Sequence, residues 1–264
     1  MKVKEPHRVL AFRDHLTFLE QSFDPEKQPG GLLDVARRLK HAQEEFCTAH
    51  GIRLHGELAD GSSEGICHVL MAERYALPGE VIVGTDSHTP HSGALGSLAF
   101  GVGTTDIANA WITGDVRVTV PPTCRIRLHG RLRPGVYAKD LILHLLRLPF
   151  IHEGGAIGHA IEYQGKALAH LGTDERATLT NMAAEIGGFT GIVAPDAETQ
   201  RFIRERRGVD AQLESWMASD PDAEYAHTLD VDCSALEPMV AQPGDPGNGV
   251  ALSTLTQPVA IDLA

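Results

Sequence analysis

The run Val81-Ile-Val-Gly-Thr-Asp-Ser-His-Thr89 constrains this chain more than any other stretch. Three consecutive β-branched apolar residues read as a strand buried on both faces, the pattern of a parallel sheet rather than of an amphipathic hairpin. Open α/β sheets bind ligands beyond the carboxyl ends of their strands. An acid, a hydroxyl and an imidazole at Asp86, Ser87 and His88 therefore stand where a substrate would be met. From Pro90 to Gly103 small residues dominate, so the backbone there can approach a ligand or another element closely, and the stretch reads as a loop leading into a tightly packed segment.

The rest of the chain alternates strands and helices. A strand over 8–12 runs into Asp14 and His15, and apolar residues at helical spacing (Leu32, Leu33, Val35, Ala36, Leu39) predict a helix over 31–50. A short strand over 52–55, a polar loop over 58–63, a glycine-entered helix over 65–74 and a turn at Leu77-Pro-Gly-Glu follow. Near Val116 the pattern changes to two alternating runs, 116–120 and 124–130, separated by Pro121-Pro122, which places a domain boundary there. Beyond it the sequence predicts an amphipathic helix over 138–148, a strand over 160–163, a helix over 181–186, a buried strand over 190–193 and a helix over 197–207. Residues 237–249 are too rich in proline and glycine for an element and read as a linker or wrapping arm. Apolar residues resume at Gln257, as though a new strand begins.

Composition narrows the function. The 264 residues are 42% hydrophobic, enough for a substantial core. Thirty-five acidic against 23 basic side chains leave a net charge of −12, which disfavours nucleic acid and anionic membranes and points to a small substrate. No apolar run approaches a membrane span, and Met1-Lys-Val-Lys-Glu-Pro lacks a signal peptide's apolar core, so a soluble, cytoplasmic protein is expected. The four cysteines (Cys47, Cys67, Cys124, Cys233) form no Cys-x-x-Cys and read as reduced, mostly buried thiols.

Four places offer acid–base groups: Asp14-His15, Cys67-His68, Asp86-Ser87-His88, and Asn181 with Glu185. A carboxylate beside a histidine orients the ring for proton transfer near neutral pH, yet fourteen histidines make some such neighbours fortuitous. Cys67 and His68 are consecutive, so their side chains diverge and ligate one metal poorly. Asn181 and Glu185, four apart, share one face of the predicted helix, as residues of ordinary solvated helices also do. Ser87 lacks the flanking glycines of a nucleophile elbow. Gly101-Val-Gly-Thr-Thr-Asp106 has aspartate where a dinucleotide fingerprint needs glycine.

Taken together, Arg13-Asp-His-Leu-Thr, Gly65-Ile-Cys-His68, Leu77-Pro-Gly-Glu-Val-Ile-Val-Gly-Thr-Asp-Ser-His-Thr, Gly93-Ala-Leu-Gly-Ser-Leu-Ala-Phe-Gly-Val-Gly-Thr, Thr119-Val-Pro-Pro-Thr and Thr180-Asn-Met-Ala-Ala-Glu-Ile-Gly resemble the aconitase and 3-isopropylmalate dehydratase large-subunit superfamily. The resemblance implies an aconitase-like three-layer α/β/α architecture: part of a first α/β domain over 1–115, a second over 116–236, then a connector into a third over 237–264. It implies a hydro-lyase that dehydrates and rehydrates a hydroxy di- or tricarboxylate, with a [4Fe-4S] cluster as Lewis acid. Asp14 and His15 would then protonate the departing hydroxyl, His68 and Asp86 would form a supporting pair, and Ser87, His88, Asn181 and Glu185 would line the pocket. None of the four cysteines matches a cluster position, so the expectation is a fragment that binds no cluster and is inactive alone. A second polypeptide would supply the cluster and the C-terminal domains. Two rivals are a non-catalytic remnant or assembly subunit, and a mononuclear-metal enzyme using His15, His68 and His88. A sheet edge left open would favour self-association. Citrate, isopropylmalate and homocitrate remain equal candidates as substrate.

Overall fold

The structure is a computed structural model and describes residues 2–14, 17–18, 31–258 and 260–261. His15 thus lies outside the described residues, as does much of the run after Gln257. The chain divides into two compact units, Met1–Met71 with Gly103–Val118, and Ala72–Val102 with Thr119–Ala264. Both are α/β.

In the first unit the strand Leu10–Phe12 pairs in parallel with Arg53–His55, in the register Ala11 to Leu54. The helix Leu32–His50 connects them, as a parallel pair requires. It stops where Gly51 adopts a left-handed conformation (φ 68°) and donates its N–H to the carbonyls of Cys47 and Thr48, a cap that glycine adopts without Cβ strain. Val3, Cys47 and Ile52 form the small core, with Val9, Ala11, Leu54 and Trp111 packed on it. Trp111 comes from the helix Thr104–Thr113. Its backbone carbonyl accepts from the N–H of Lys4 at 2.8 Å, and the Lys4 ammonium donates to the Thr113 carbonyl at 2.6 Å.

The second unit is built on a four-stranded parallel sheet in the order Thr190–Val193, Ala160–Gln164, Thr123–His129, His227–Asp232. Alternation along Thr123–His129 drives its two faces apart. Cys124, Ile126 and Leu128 are fully buried under the helices Ala138–Leu146 and Thr173–Asn181, together with Ile161 and Tyr163 from the neighbouring strand. The opposite face is polar: Arg127 pairs with Asp230 at 2.7 Å, and the Arg125 guanidinium stacks 4.2 Å from the Tyr225 ring. The strand Val81–Gly84 pairs separately with Leu98–Gly101, also in parallel.

Two arginines tie this unit together. Arg176 is 1% exposed, holds Asp196 through two bonds of 2.7 and 2.8 Å, and donates to the carbonyls of Leu168 and Leu171. Arg207 donates to the carbonyls of Ala72, Glu73, Tyr75 and Ala76, satisfying backbone acceptors around the C-terminus of the helix Cys67–Arg74.

Several expectations need correction. The alternating run 116–120 forms no strand: Val120 is 89% exposed and Pro121-Pro122 lack the N–H groups a ladder needs. The helix expected over 181–186 is broken. Thr173–Asn181 ends at Asn181, and a separate turn, Ala183–Ile186, follows and stops at Gly187 (φ 81°). The supposed linker over 237–249 contains a strand, Met239–Ala241, paired antiparallel with Gly249–Ala251, the prolines and glycines lying mainly in the turn between them. The small-residue loop after His88 is in fact a 3-10 segment, Thr89–Leu95, and then the strand Leu98–Gly101. Among the described residues no helix is long and apolar enough to cross a membrane.

Candidate functional site

Beyond Gly84 the chain turns back over the ends of its own strand pair. The Asp86 carboxylate accepts the backbone N–H of His88 at 2.7 Å, an Asx turn, and the Asp86 carbonyl accepts from the Thr89 hydroxyl at 2.7 Å. This tight return depends on the glycines. A Cβ at Gly84 would lie 2.3 Å from the Thr89 hydroxyl, and one at Gly101 would lie 2.7 Å from the Asp86 carbonyl. The 3-10 segment that follows packs backbone to backbone on the sheet's outer strand, where a Cβ at Gly93 would fall 1.9 Å from the Gly191 carbonyl oxygen. The Thr190 hydroxyl donates to the Ala99 carbonyl at 2.6 Å, joining the strand pair to the sheet.

This packing sets the His88 ring between two carboxylates. Its Nδ1 is 3.4 Å from Asp86 Oδ1 and 3.4 Å from the Ser87 hydroxyl, and its Nε2 is 3.1 Å from Glu185 Oε1. Glu185 arrives from the turn Ala183–Ile186. All three charged groups are part-exposed, His88 by 36%, so the imidazole is oriented yet open to a ligand. With Glu185 as acceptor, Nε2 carries the hydrogen. An oriented, accessible imidazole of this kind can hand over or receive a proton.

Asn181 reaches the same loop, its side-chain amide 3.4 Å from His91 Nδ1, while the Thr180 hydroxyl donates to the His91 carbonyl at 3.1 Å. Asn181 and Glu185 therefore meet the 86–91 loop from two successive helical segments, rather than as neighbours on one helix. His91 was not among the residues singled out from sequence. Its only signal is that it is the next histidine after His88, inside a stretch dominated by small residues.

Asp14 and His68 belong to the first unit. One Asp14 carboxylate oxygen accepts the backbone N–H of Cys67 at 3.0 Å, so Asp14 sits at the N-terminus of the helix Cys67–Arg74, whose second residue is His68. The preceding Arg13, 7% exposed, is fixed by Glu44 at 2.9 Å and Glu57 at 3.0 Å. Burial alone would raise the Glu57 carboxyl, but Lys40 and Arg13 outweigh it and hold the group below its usual value. His55, 1% exposed, stacks on Phe12 at 5.1 Å and contacts Glu64 at 3.0 Å, a buried pair that sequence reasoning did not pick out.

Three of the four thiols are poor ligands for an iron–sulfur cluster. Cys47, Cys124 and Cys233 are buried, and burial raises each of them above the ordinary thiol value; Cys233, beside Asp232, is pushed up to about 11. Clusters bind thiolates, which such surroundings oppose. Cys124 pairs with His227, six residues before Cys233 along the neighbouring strand, which separates these two by about 20 Å.

A parallel α/β fold with carboxylates and an imidazole gathered beyond a strand end defines the class of the site. Residues 1–263 match the Aconitase family (aconitate hydratase), and the chain belongs to it. Among its relatives, the 3-isopropylmalate dehydratase large subunit of Aquifex aeolicus is 38% identical over 256 residues, covering 93% of this chain and 56% of the relative. That of Wolinella succinogenes is 43% identical over 210 residues (79% and 48%). The 3-isopropylmalate dehydratase large subunit 1 of Methanopyrus kandleri is 36% identical over 262 residues (99% and 57%). The chain spans about half the length of the relatives it matches.

Proposed function

We infer that the chain forms the acid–base and substrate-facing wall of an aconitase-type hydro-lyase, one that removes water from a hydroxy di- or tricarboxylate and returns it. The observation that carries this reading is His88, held between Asp86 and Glu185 at the carboxyl end of Val81–Gly84. Hydroxide is a poor leaving group, so dehydration needs a placed proton donor, and its reverse needs a placed acceptor. Asp14 and His15 supply the proton to the departing oxygen. His88 moves a proton at Nε2 against Glu185, and Ser87 and Asn181 offer hydrogen bonds to the substrate; His68 and Asp86 support them. The names of the relatives favour 3-isopropylmalate over citrate as substrate. The [4Fe-4S] cluster that the family resemblance implies finds no matching set among these four thiols. On this reading a second polypeptide supplies the cluster ligands, and turnover requires it.

Titration of the 15N-labelled chain with 3-isopropylmalate and, separately, with citrate tests the substrate-facing half of this proposal. Amide shifts confined to the neighbourhood of residues 14–15, 68, 86–91, 181 and 185, larger with 3-isopropylmalate, are expected. Shifts elsewhere, or none, would overturn it and leave a non-catalytic member of the family.

A further inference from the structure

We propose that the helix Leu32–His50 is a self-association seam that pairs antiparallel with the same helix of a second copy of this chain. The helix carries apolar residues on two faces, one turned inward through Leu33, Ala36 and the buried Cys47 and one turned outward. Its inward-facing residues include Lys40, whose ammonium pairs with Glu57, and Gln43, whose amide donates to the Phe12 carbonyl at 3.0 Å. Its outward-facing residues at positions 32, 35, 39, 42, 46 and 49 are Leu, Val, Leu, Ala, Phe and Ala, and every one is exposed. Leu32 and Leu39 are 59% and 57% exposed. Phe46 remains 37% exposed although it touches Trp111 and His50.

The spacing 3, 4, 3, 4, 3 is the heptad seam of a coiled coil, in which apolar knobs from two helices interlock. It is continuous from Leu32 to Ala49, nearly the whole helix. Apart from Trp111 beside Phe46, the described residues of its own unit leave the stripe exposed, and a helix normally turns its apolar stripe inward.

Two independent features choose the partner and its direction. The first is size. Antiparallel pairing about the middle of the helix sets Leu32 of one copy against Ala49 of the other, Val35 against Phe46, and Leu39 against Ala42. Every layer then joins a larger side chain to a smaller one, which fills a core evenly. Parallel pairing would set Phe46 on Phe46 and Ala42 on Ala42, a bulge beside a void. The second is charge. Between Asp34 in the first turn and His50 in the last, Arg37, Arg38, Lys40 and His41 lie in the first half and middle and Glu44 and Glu45 in the second. Antiparallel pairing places Arg38 of each copy beside Glu45 of the other at the seam's flank, and the two helix dipoles oppose each other favourably. The arrangement is two-fold and self-complementary, as a closed dimer requires. A seam of about 28 Å is short, so the dimer is weak, micromolar or looser.

Sedimentation equilibrium of the full chain tests this. The weight-average mass should rise with concentration from the monomer value of 28.4 kDa toward twice that. Leu39→Glu should hold the mass at the monomer value while far-ultraviolet circular dichroism and thermal midpoint stay unchanged, since the site is exposed. Arg38→Glu and Glu45→Arg should each weaken association roughly ten-fold, and the double charge swap should restore it. A monomer mass at every concentration, an undiminished dimer in Leu39→Glu, or a charge swap that fails to rescue would each overturn the proposal.

Discussion

Replacing Arg176 by methionine is expected to destabilise the second unit by about 3 kcal/mol, the low end of the range for breaking a buried ion pair, because the Asp196 left behind is 45% exposed and solvated. The guanidinium is 1% exposed and makes four bonds, two to the Asp196 carboxylate and two to backbone carbonyls. Methionine fills much of the volume but removes the guanidinium donor from the Leu171 carbonyl and one of two donors from the Leu168 carbonyl, which keeps the Leu171 N–H. It also removes the cation from Asp196, which caps the helix Ala197–Arg207 by accepting the N–H groups of Glu198 and Thr199. Burial alone would raise the Asp196 carboxyl; Arg176 and those two N–H groups outweigh it, so the folded value lies below the ordinary one. The group therefore contributes stability that is fully present above its unfolded value, about 3.9, and is lost as pH falls through the folded value. Urea titrations across the acid range should show wild type losing this contribution on acidification, and the methionine variant losing much less of it, having little left to lose.

Gly93→Ala is expected to be similarly damaging, about 3 kcal/mol, the upper end of overpacking costs, because the clash is backbone against backbone. The new methyl would stand 1.9 Å from the Gly191 carbonyl oxygen and 3.3 Å from the Ile192 Cα, so no rotamer change relieves it. The Thr89–Leu95 segment must lift off the strand Thr190–Val193, carrying His91 with it and pulling on the His88 turn. Gly208→Ala is the control. Its φ of +67° is mildly strained for alanine, but nothing lies within 4 Å, so a loss of about 1 kcal/mol is expected. Thermal denaturation of both variants measures the difference. A Gly93→Ala protein as stable as the Gly208→Ala control would show that the segment is not pressed onto the sheet.

How much of this was legible in the sequence depended on whether the signal was local. The strand at Val81, the helix Ala197–Arg207 and the strand Ala160–Gln164 follow from short-range pattern alone, although burial of the first on both faces does not hold, Val81 being 59% exposed. Leu98–Gly101 was hidden, because glycines that permit close packing also look like loop. Thr173–Asn181 was hidden because threonines and charges mask its buried face; Thr173, Arg176 and Thr180 are all buried there through hydrogen bonds the sequence cannot display. Residues 116–120 alternate well but find no partner strand, and a strand is defined by its neighbour. At the site, Asp86 and His88 could be read from adjacency, and Glu185 from its four-residue spacing to Asn181, although the two stand on separate helical segments. The His91–Asn181 contact joins residues ninety positions apart and had no sequence signal of its own.

Whether His88 moves protons in a hydro-lyase reaction can be measured directly. The direct measurement combines this chain, under anaerobic conditions with iron and sulfide, with a polypeptide carrying the remaining half of the Aquifex aeolicus relative, and follows hydration of an unsaturated dicarboxylate. Turnover is predicted only when both polypeptides are present, and His88→Ala should reduce it by about 100-fold or more, the scale of a lost general acid–base group. Turnover by this chain alone, no turnover by the pair, or a His88→Ala rate equal to wild type would contradict the proposed function.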